Sequence, residues 1–317
     1  MPSQTEAGKA FEYALSKEIF NSFSLNQNVK IIQTSSYTIA QNCFNLFSDN
    51  ELLKYKKAAD AAIHHILQLE PNLDKPLTPS NNLNIKVVSD SEGIKGDVRD
   101  VIVSRENQNW EIGISAKNNH KAVKHSRLSS NIDFGKEWLA LNCSKEYFNL
   151  ITPIFSELLQ LKNEGKFWRN IENKYARFYI PILNAFKNEL VRLDGEYPSI
   201  VPQNLLRYLI GNNDFYKVIK RKNKTEIYGF HLYGTLNKST SSRKATFKVP
   251  RLKLPTRIIE ITYKQNSNNT LILTCDEGWQ VSFRIHNASS KVEPSLKFDI
   301  NLIGQPQALY SHHISWQ

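Results

Sequence analysis

Gly96-Asp97-Val98-Arg99-Asp100-Val101-Ile102-Val103-Ser104-Arg105, Glu106-Asn107-Gln108-Asn109 and Trp110-Glu111-Ile112-Gly113-Ile114-Ser115-Ala116-Lys117 are the stretch whose reading decides the fold of this 317-residue chain. Two runs of alternating apolar and polar residues flank a short polar turn. That pattern predicts a β-hairpin with strands over 98–105 and 110–117. With Arg105 opposite Trp110, Asp100 faces Ser115 and Val98 faces Lys117. Side chains alternate across a strand, so Val101, Val103, Ile112, Ile114 and Ala116 share a core face. Asp100, Ile102, Ser104, Glu111, Gly113, Ser115 and Lys117 share the other. Asp100 and Lys117 are diagonal neighbours there, about 7–8 Å apart at the backbone and within joint reach of a phosphate or a water. An ordinary half-exposed hairpin with a surface Asp–Lys pair has the same pattern, so the neighbouring sequence has to decide.

On the N-terminal side, residues 7–23 read as an amphipathic helix, with Phe11, Leu15, Ile19 and Phe23 four apart. Glu12 lies about 20° from Ile19 on the helical wheel. A carboxylate at the edge of an apolar stripe is costly unless it is paired, bound to metal or able to reach water. Residues 29–33 and 83–88 read as strands and 52–69 as a helix that ends before Pro71. On the C-terminal side, basic and amide groups follow Lys117 closely: Asn118, Asn119, His120, Lys121, Lys124, His125 and Arg127. Residues 139–162 and 180–193 read as helices, with Pro153 and Pro181 marking helix starts, and 195–202 as a connection. After Phe215 the texture changes to short strands, over 224–232, 245–249, 257–263, 270–275, 280–286 and 295–301.

Charge is distributed unevenly. The chain carries 41 Lys plus Arg against 30 Asp plus Glu, a net charge of +11. Residues 215–317 hold 16 of the basic and 6 of the acidic residues, so nearly all of the excess lies there. Between Lys217 and Arg257 the single acid is Glu226, and aromatic residues are interleaved (Tyr228, Phe230, Tyr233, Phe247), with Tyr216 just before. This pattern favours a polyanionic partner and phosphate contacts. No apolar run approaches the ~18 residues of a membrane helix. The N-terminus lacks the basic flank and apolar stretch of a signal peptide. Three cysteines, Cys43, Cys143 and Cys275, are too few and too far apart for a disulfide framework or a zinc ligand pair. A soluble, reduced, cytoplasmic α/β protein with no membrane partner is expected.

Gly8-Lys9-Ala10-Phe11-Glu12 in a first helix, Asp100 opening a strand and Lys117 closing its partner resemble the PD-(D/E)XK nucleases. Gly-Asp-Val-Arg-Asp-Val (96–101), Trp-Glu-Ile-Gly-Ile-Ser-Ala-Lys (110–117), Lys-His-Ser-Arg-Leu-Ser (124–129), Ile-Asp-Phe-Gly (132–135) and Phe-Arg-Ile-His-Asn-Ala-Ser (283–289) resemble the HaeIII family of type II restriction endonucleases. The resemblance implies a mixed central sheet flanked by helices, with a β-rich basic C-terminal region. Along the chain this gives a PD-(D/E)XK-like catalytic core over 1–165, a helical connector over 166–214 and a DNA-recognition region over 215–317. The implied activity is Mg²⁺-dependent cleavage of double-stranded DNA at a short palindrome, GGCC with blunt ends, leaving 5′-phosphate and 3′-hydroxyl. Ser115 departs from the general pattern, which has Asp or Glu two residues before the lysine. Glu12 is the first choice for the missing carboxylate, with Asp97 and Asp133 in reserve.

Hard oxygen ligands from Asp100, Glu12 and Asp97 suit Mg²⁺, and Lys117 would orient the attacking water or neutralise charge. Guanine offers O6 and N7 in the major groove, and Arg or Lys is its commonest partner. Arg284, His286 and Asn287 end a strand of the basic region, while Arg127 and His125 stand near the hairpin, so these five are candidate base readers. Lys121, Lys124, Arg243, Lys244, Arg251, Lys253 and Arg257 are candidate phosphate contacts. A palindrome suits a homodimer with two-fold symmetry. A repair nuclease or junction resolvase with the same catalytic residues, or a non-catalytic nucleic-acid-binding protein, fits the residues as well until cleavage of a fixed sequence is known.

Overall fold

The computed structural model describes residues 2–25, 28–74, 82–89, 96–105, 108–119 and 124–316, without the side chains of 124 and 125. Two compact units alternate along the chain. One comprises Met1–Lys121, Gly211–Leu252 and Ala308–Gln317, the other Ala122–Ile210 and Lys253–Gln307. The boundaries read from the sequence, at 165 and 214, follow the texture of the chain, whereas the units follow strand pairing.

The first unit is built on a seven-stranded sheet of order β1-β2-β3-β4-β6-β7-β12. Its strands are β1 (Val29–Ile31), β2 (Leu83–Val87), β3 (Val101–Arg105), β4 (Trp110–Asn118), β6 (Phe215–Lys220), β7 (Lys224–Phe230) and β12 (Tyr310–Ser315). β1–β2 and β4–β6 are parallel and the other pairs antiparallel, so the sheet is mixed. Helices α1 (Gln4–Phe23), α2 (Ser35–Phe44) and α3 (Asp49–Leu69) belong to this unit. Ser3 opens α1 with a capping box closed by Glu6, which satisfies two otherwise unpaired amides. Phe11, Leu15 and Ile19 of α1, Ala58, Ala62 and Ile66 of α3, and the hairpin residues Val101, Val103, Ile112, Ile114 and Ala116 form one buried core.

The hairpin has the predicted register, with Arg105 opposite Trp110 and Val101 opposite Ile114. Its first strand is shorter than expected. The ladder ends at Val101, one further bond runs from Asp100 N to Ile114 O at 2.8 Å, and the backbone of 97–99 turns away. Val98 therefore does not face Lys117. α2 and β6 were not anticipated. β6 is central and buried nearly throughout, so it lacks the alternation that marks a half-exposed strand. Residues 245–249 form no strand: Thr246 N bonds the Gln68 carbonyl and Val249 N the Asn237 side chain.

The second unit contains a five-stranded antiparallel sheet of order β5-β11-β10-β9-β8. Its strands are β5 (Lys124–Leu128), β8 (Ile258–Tyr263), β9 (Thr270–Cys275), β10 (Gln280–His286) and β11 (Leu296–Gly304). Helices α4 (Lys145–Asn163), α5 (Ile180–Glu196) and α6 (Ile200–Ile210) accompany it. Phe186 of α5 packs on Phe283 and Phe298 with ring centroids 5.2 and 5.0 Å away, which covers the inner face of the sheet. α4 starts at Ser144, whose hydroxyl accepts from Tyr147 N. Pro153 is thus inside the helix rather than at its start. It is tolerated because Pro153 and Asn149, whose carbonyl loses its partner, both face solvent. Pro181 does stand at a helix start. The expected connection over 195–202 shrinks to three residues, because α5 runs to Glu196 and α6 begins at Ile200.

Candidate active site

The end of the β3 ladder exposes the amide of Ala116, and the Asp100 carboxylate occupies the gap. Asp100 Oδ2 accepts from Ala116 N at 2.7 Å, from Lys117 Nζ at 3.1 Å and from the Ser115 hydroxyl at 3.3 Å. All three donors converge on one oxygen. Ser115, where the general nuclease pattern has an acid, here supplies a hydrogen bond that orients Asp100.

Glu12 enters from α1. Its side chain is buried rather than extended to water, with Oε2 3.1 Å from Lys9 Nζ. Burial, then the neighbouring Asp100 charge, push its pKa up to about 8, while Lys9 and Lys117 pull it down. Buried within range of the Asp100 charge, Glu12 keeps its proton to higher pH than an ordinary carboxyl.

Asp97 is held differently. Arg99 Nε and Nη2 donate to its two oxygens at 2.8 and 2.7 Å, and Arg99 Nη1 reaches Glu111 at 2.5 Å. The aliphatic stem of Arg99 passes closely over β4 because residue 113 is glycine: a Cβ there would stand 2.0 Å from Arg99 Cδ. The clamp fixes the backbone immediately before Asp100 and ties up Asp97 and Glu111. Asp133 caps a turn, accepting from Lys136 N and Cys143 N at 3.0 and 3.1 Å. Among the described residues no three His, Cys, Asp or Glu side chains converge as a metal cluster. A donor set of two carboxylates leaves most of a coordination shell to water and phosphate, which is how Mg²⁺ is commonly held.

The candidate DNA-binding residues separate into groups. Lys121 and His120 lie outside the described residues, as do the side chains of Lys124 and His125, whose backbones belong to β5. Arg127, Arg284 and His286 share the outer face of the second sheet: Lys297 of β11 stands between Arg127 and His286, and Asp299 stands opposite Arg284. Arg127 bonds the Ser295 hydroxyl at 2.7 Å and lies 3.5 Å from Glu293. Asn287 is occupied, with its carbonyl oxygen accepting from the Tyr179 hydroxyl at 3.3 Å and its amide donating to the Ser289 carbonyl at 2.7 Å. Arg243 is paired with Asp74, and Arg251 Nε donates to the Leu232 carbonyl at 2.9 Å. Lys244, Lys253 and Arg257 are exposed, with Glu277 3.9 Å from Lys253. Sequence reasoning missed Arg99, Gly113 and Lys297. The Gly113–Arg99 stacking leaves no sequence signal, whereas the alternation of β11 could have singled out Lys297.

The class to which such a chain belongs is that of the type II restriction endonucleases, site-specific deoxyribonucleases of restriction–modification systems. The family model described as HaeIII restriction endonuclease matches residues 8–306, and the chain belongs to that family. It is 46% identical over 312 residues to the type II restriction enzyme HaeIII of Haemophilus aegyptius, covering 98% of this chain and 97% of that protein. No solved structure matches. Family membership sets aside the repair-nuclease, resolvase and non-catalytic readings. Among the described residues no helix is long and apolar enough to cross a membrane.

Proposed function

We propose that the chain cuts duplex DNA at GGCC, bluntly, with Asp100, Glu12 and Lys117 as its catalytic residues on a PD-(D/E)XK core. The observation that carries this reading is the convergence of two carboxylates and a lysine where β3 leaves the sheet. Asp100 and Glu12 would hold Mg²⁺, and the raised pKa of Glu12, caused first by burial and then by the Asp100 charge, supports this, because a divalent cation would stabilise the ionised carboxylates there. Bound Mg²⁺ supplies a more acidic water and a polarised phosphoryl oxygen. Lys117, anchored on Asp100, would orient the attacking water and stabilise the charge that grows on the phosphate. The Ala116 amide and Ser115 hydroxyl keep Asp100 in a single orientation. Asp97 contributes by locking Arg99, not as a ligand. The similarity to HaeIII supports GGCC, and a palindrome would be met by a homodimer.

Plasmid digestion with Mg²⁺, followed by sequencing of the ends, tests the reading. Flush ends at GGCC, with 5′-phosphate and 3′-hydroxyl and no cutting in EDTA, are the expected result. Cuts at another sequence would sink the specificity, and cutting in EDTA would sink the metal.

A further inference from the structure

The outer face of the second sheet has a charge arrangement that phosphate binding does not explain. Its ladder sets Arg127, Lys297 and His286 side by side on β5, β11 and β10, with Asp299 and Arg284 paired two residues further along. The opposite face is apolar, with Leu296, Phe298 and Ile300 of β11 and Phe283 and Ile285 of β10 buried. The side chains of Arg284 and Lys297 have no hydrogen bond or ion pair with any described residue. Asp299 does: its Oδ2 lies 2.8 Å from His286 Nε2, and His286 Nδ1 stands 2.9 Å from the Asn287 carbonyl oxygen. The imidazole thus fixes the direction of the carboxylate, and the Asn287 loop fixes the imidazole. The Asn287 side chain, hydrogen-bonded to the Tyr179 hydroxyl and the Ser289 carbonyl, anchors that loop.

A surface selected only for phosphates gains nothing from a carboxylate at its centre, since the acid repels the backbone. Base edges are different. A site made solely of G·C pairs presents guanine O6 and N7 acceptors and cytosine N4 donors in the major groove. Cations beside one oriented carboxylate are the complement of that pattern. Three strands at about 4.8 Å spacing span roughly 10 Å, comparable to the ~12 Å width of the groove. We propose that this sheet face reads the recognition sequence, with Arg284 and Lys297 donating to guanine and Asp299 accepting from the cytosine amino group. The inference rests on the GGCC reading above and adds Lys297 and Asp299 to the residues that determine specificity.

Binding of the full chain to labelled duplexes in Ca²⁺, without cleavage, tests it. The probes are a GGCC duplex, a scrambled duplex, and a GGCC duplex whose cytosines are replaced by pyrimidin-2-one, which lacks the amino group. Wild type should bind the analogue roughly tenfold to a hundredfold more weakly than GGCC. Asp299→Asn should lose a similar factor on GGCC, lose little more on the analogue, and bind scrambled DNA at least as tightly as wild type. Lys297→Met, at a half-exposed position, should lower the cognate-to-scrambled ratio even if Asp299→Asn fails to fold. Wild type binding the analogue as tightly as GGCC, or either variant keeping the full cognate preference, would overturn the inference alone. A wild type with no preference for GGCC would overturn the proposed specificity and this inference together.

Discussion

The two sheets use their strands in opposite ways. In the seven-stranded mixed sheet the candidate chemistry sits where pairing stops: β3 ends at Val101, and Asp100 takes the amide that the ladder leaves free. In the five-stranded antiparallel sheet the candidate recognition surface lies where pairing is continuous, with side chains from three strands in adjacent rows. The difference teaches something about what each task needs. Catalysis needs a few groups pressed together at unfavourable proximity, and the rim of a sheet allows a helix carboxylate such as Glu12 to approach a strand end. Reading needs donors and acceptors at fixed spacing, and an unbroken ladder sets that spacing.

If this division holds, variants of the two sheets should fail in different assays. The largest effect is expected in the first. Asp100→Ala or Lys117→Ala should reduce the cleavage rate at saturating enzyme by at least about 10²–10³-fold, with cognate affinity in Ca²⁺ changed only a few-fold. Equal losses in cutting and binding would abolish the distinction.

Arg284→Ala should do the reverse. Discrimination between cognate and scrambled duplex should fall by about 1–3 kcal/mol, while the single-turnover rate at saturating enzyme stays within a few-fold. A uniform loss on both duplexes would make Arg284 a phosphate contact.

A pH experiment sharpens the description of the first sheet. The folded-state pKa of Glu12, about 8, lies above the ordinary carboxylate value, so the folded protein holds a proton that the unfolded chain gives up at lower pH. Without metal, stability linked to this group should therefore decline between about pH 4.5 and 8. Buried Glu70, pushed up to about 7 chiefly by burial, contributes in the same direction, so the difference from Glu12→Gln isolates Glu12. In urea unfolding, the variant should gain on the order of 1 kcal/mol or more over wild type by pH 8.5. The Mg²⁺ concentration for half-maximal cutting should fall as pH rises from 6 to 8.5 in wild type, as metal displaces the proton, and the variant should lose that dependence. Parallel curves would remove Glu12 from the metal site.

The smallest effect concerns the basic segment. Lys253 and Arg257 are exposed, and each neutralised phosphate adds about 0.9 to the slope of log affinity against log salt on duplex DNA. Replacing both with Gln should flatten the slope by up to roughly 2, alike on cognate and scrambled DNA. An unchanged slope would mean that this segment faces solvent.

Much of the first sheet was legible because its hairpin is periodic. Alternation showed which residues face the core once Arg105 was set opposite Trp110, the register the structure has. Helix periodicity likewise put Glu12 at the margin of an apolar stripe. β6 was illegible because a strand buried on both faces has no alternation to read, and the start of α4 was misjudged because Pro153 looks like a helix boundary until its exposed position is known.

By itself the sequence determined the local elements with a strong period, the concentration of positive charge after Phe215, and the Asp100–Lys117 pairing that follows from alternation on two adjacent strands. These are short-range properties, set by side-chain spacing and backbone geometry. Tertiary structure alone decided that Glu12 is buried rather than extended to water, that Arg99 lies over Gly113 and engages Asp97, and that Arg127, Arg284 and Lys297 share one face. Each of those outcomes depends on segments distant in the chain being brought together. The burial, charge and register that settle them exist only once the sheets have formed.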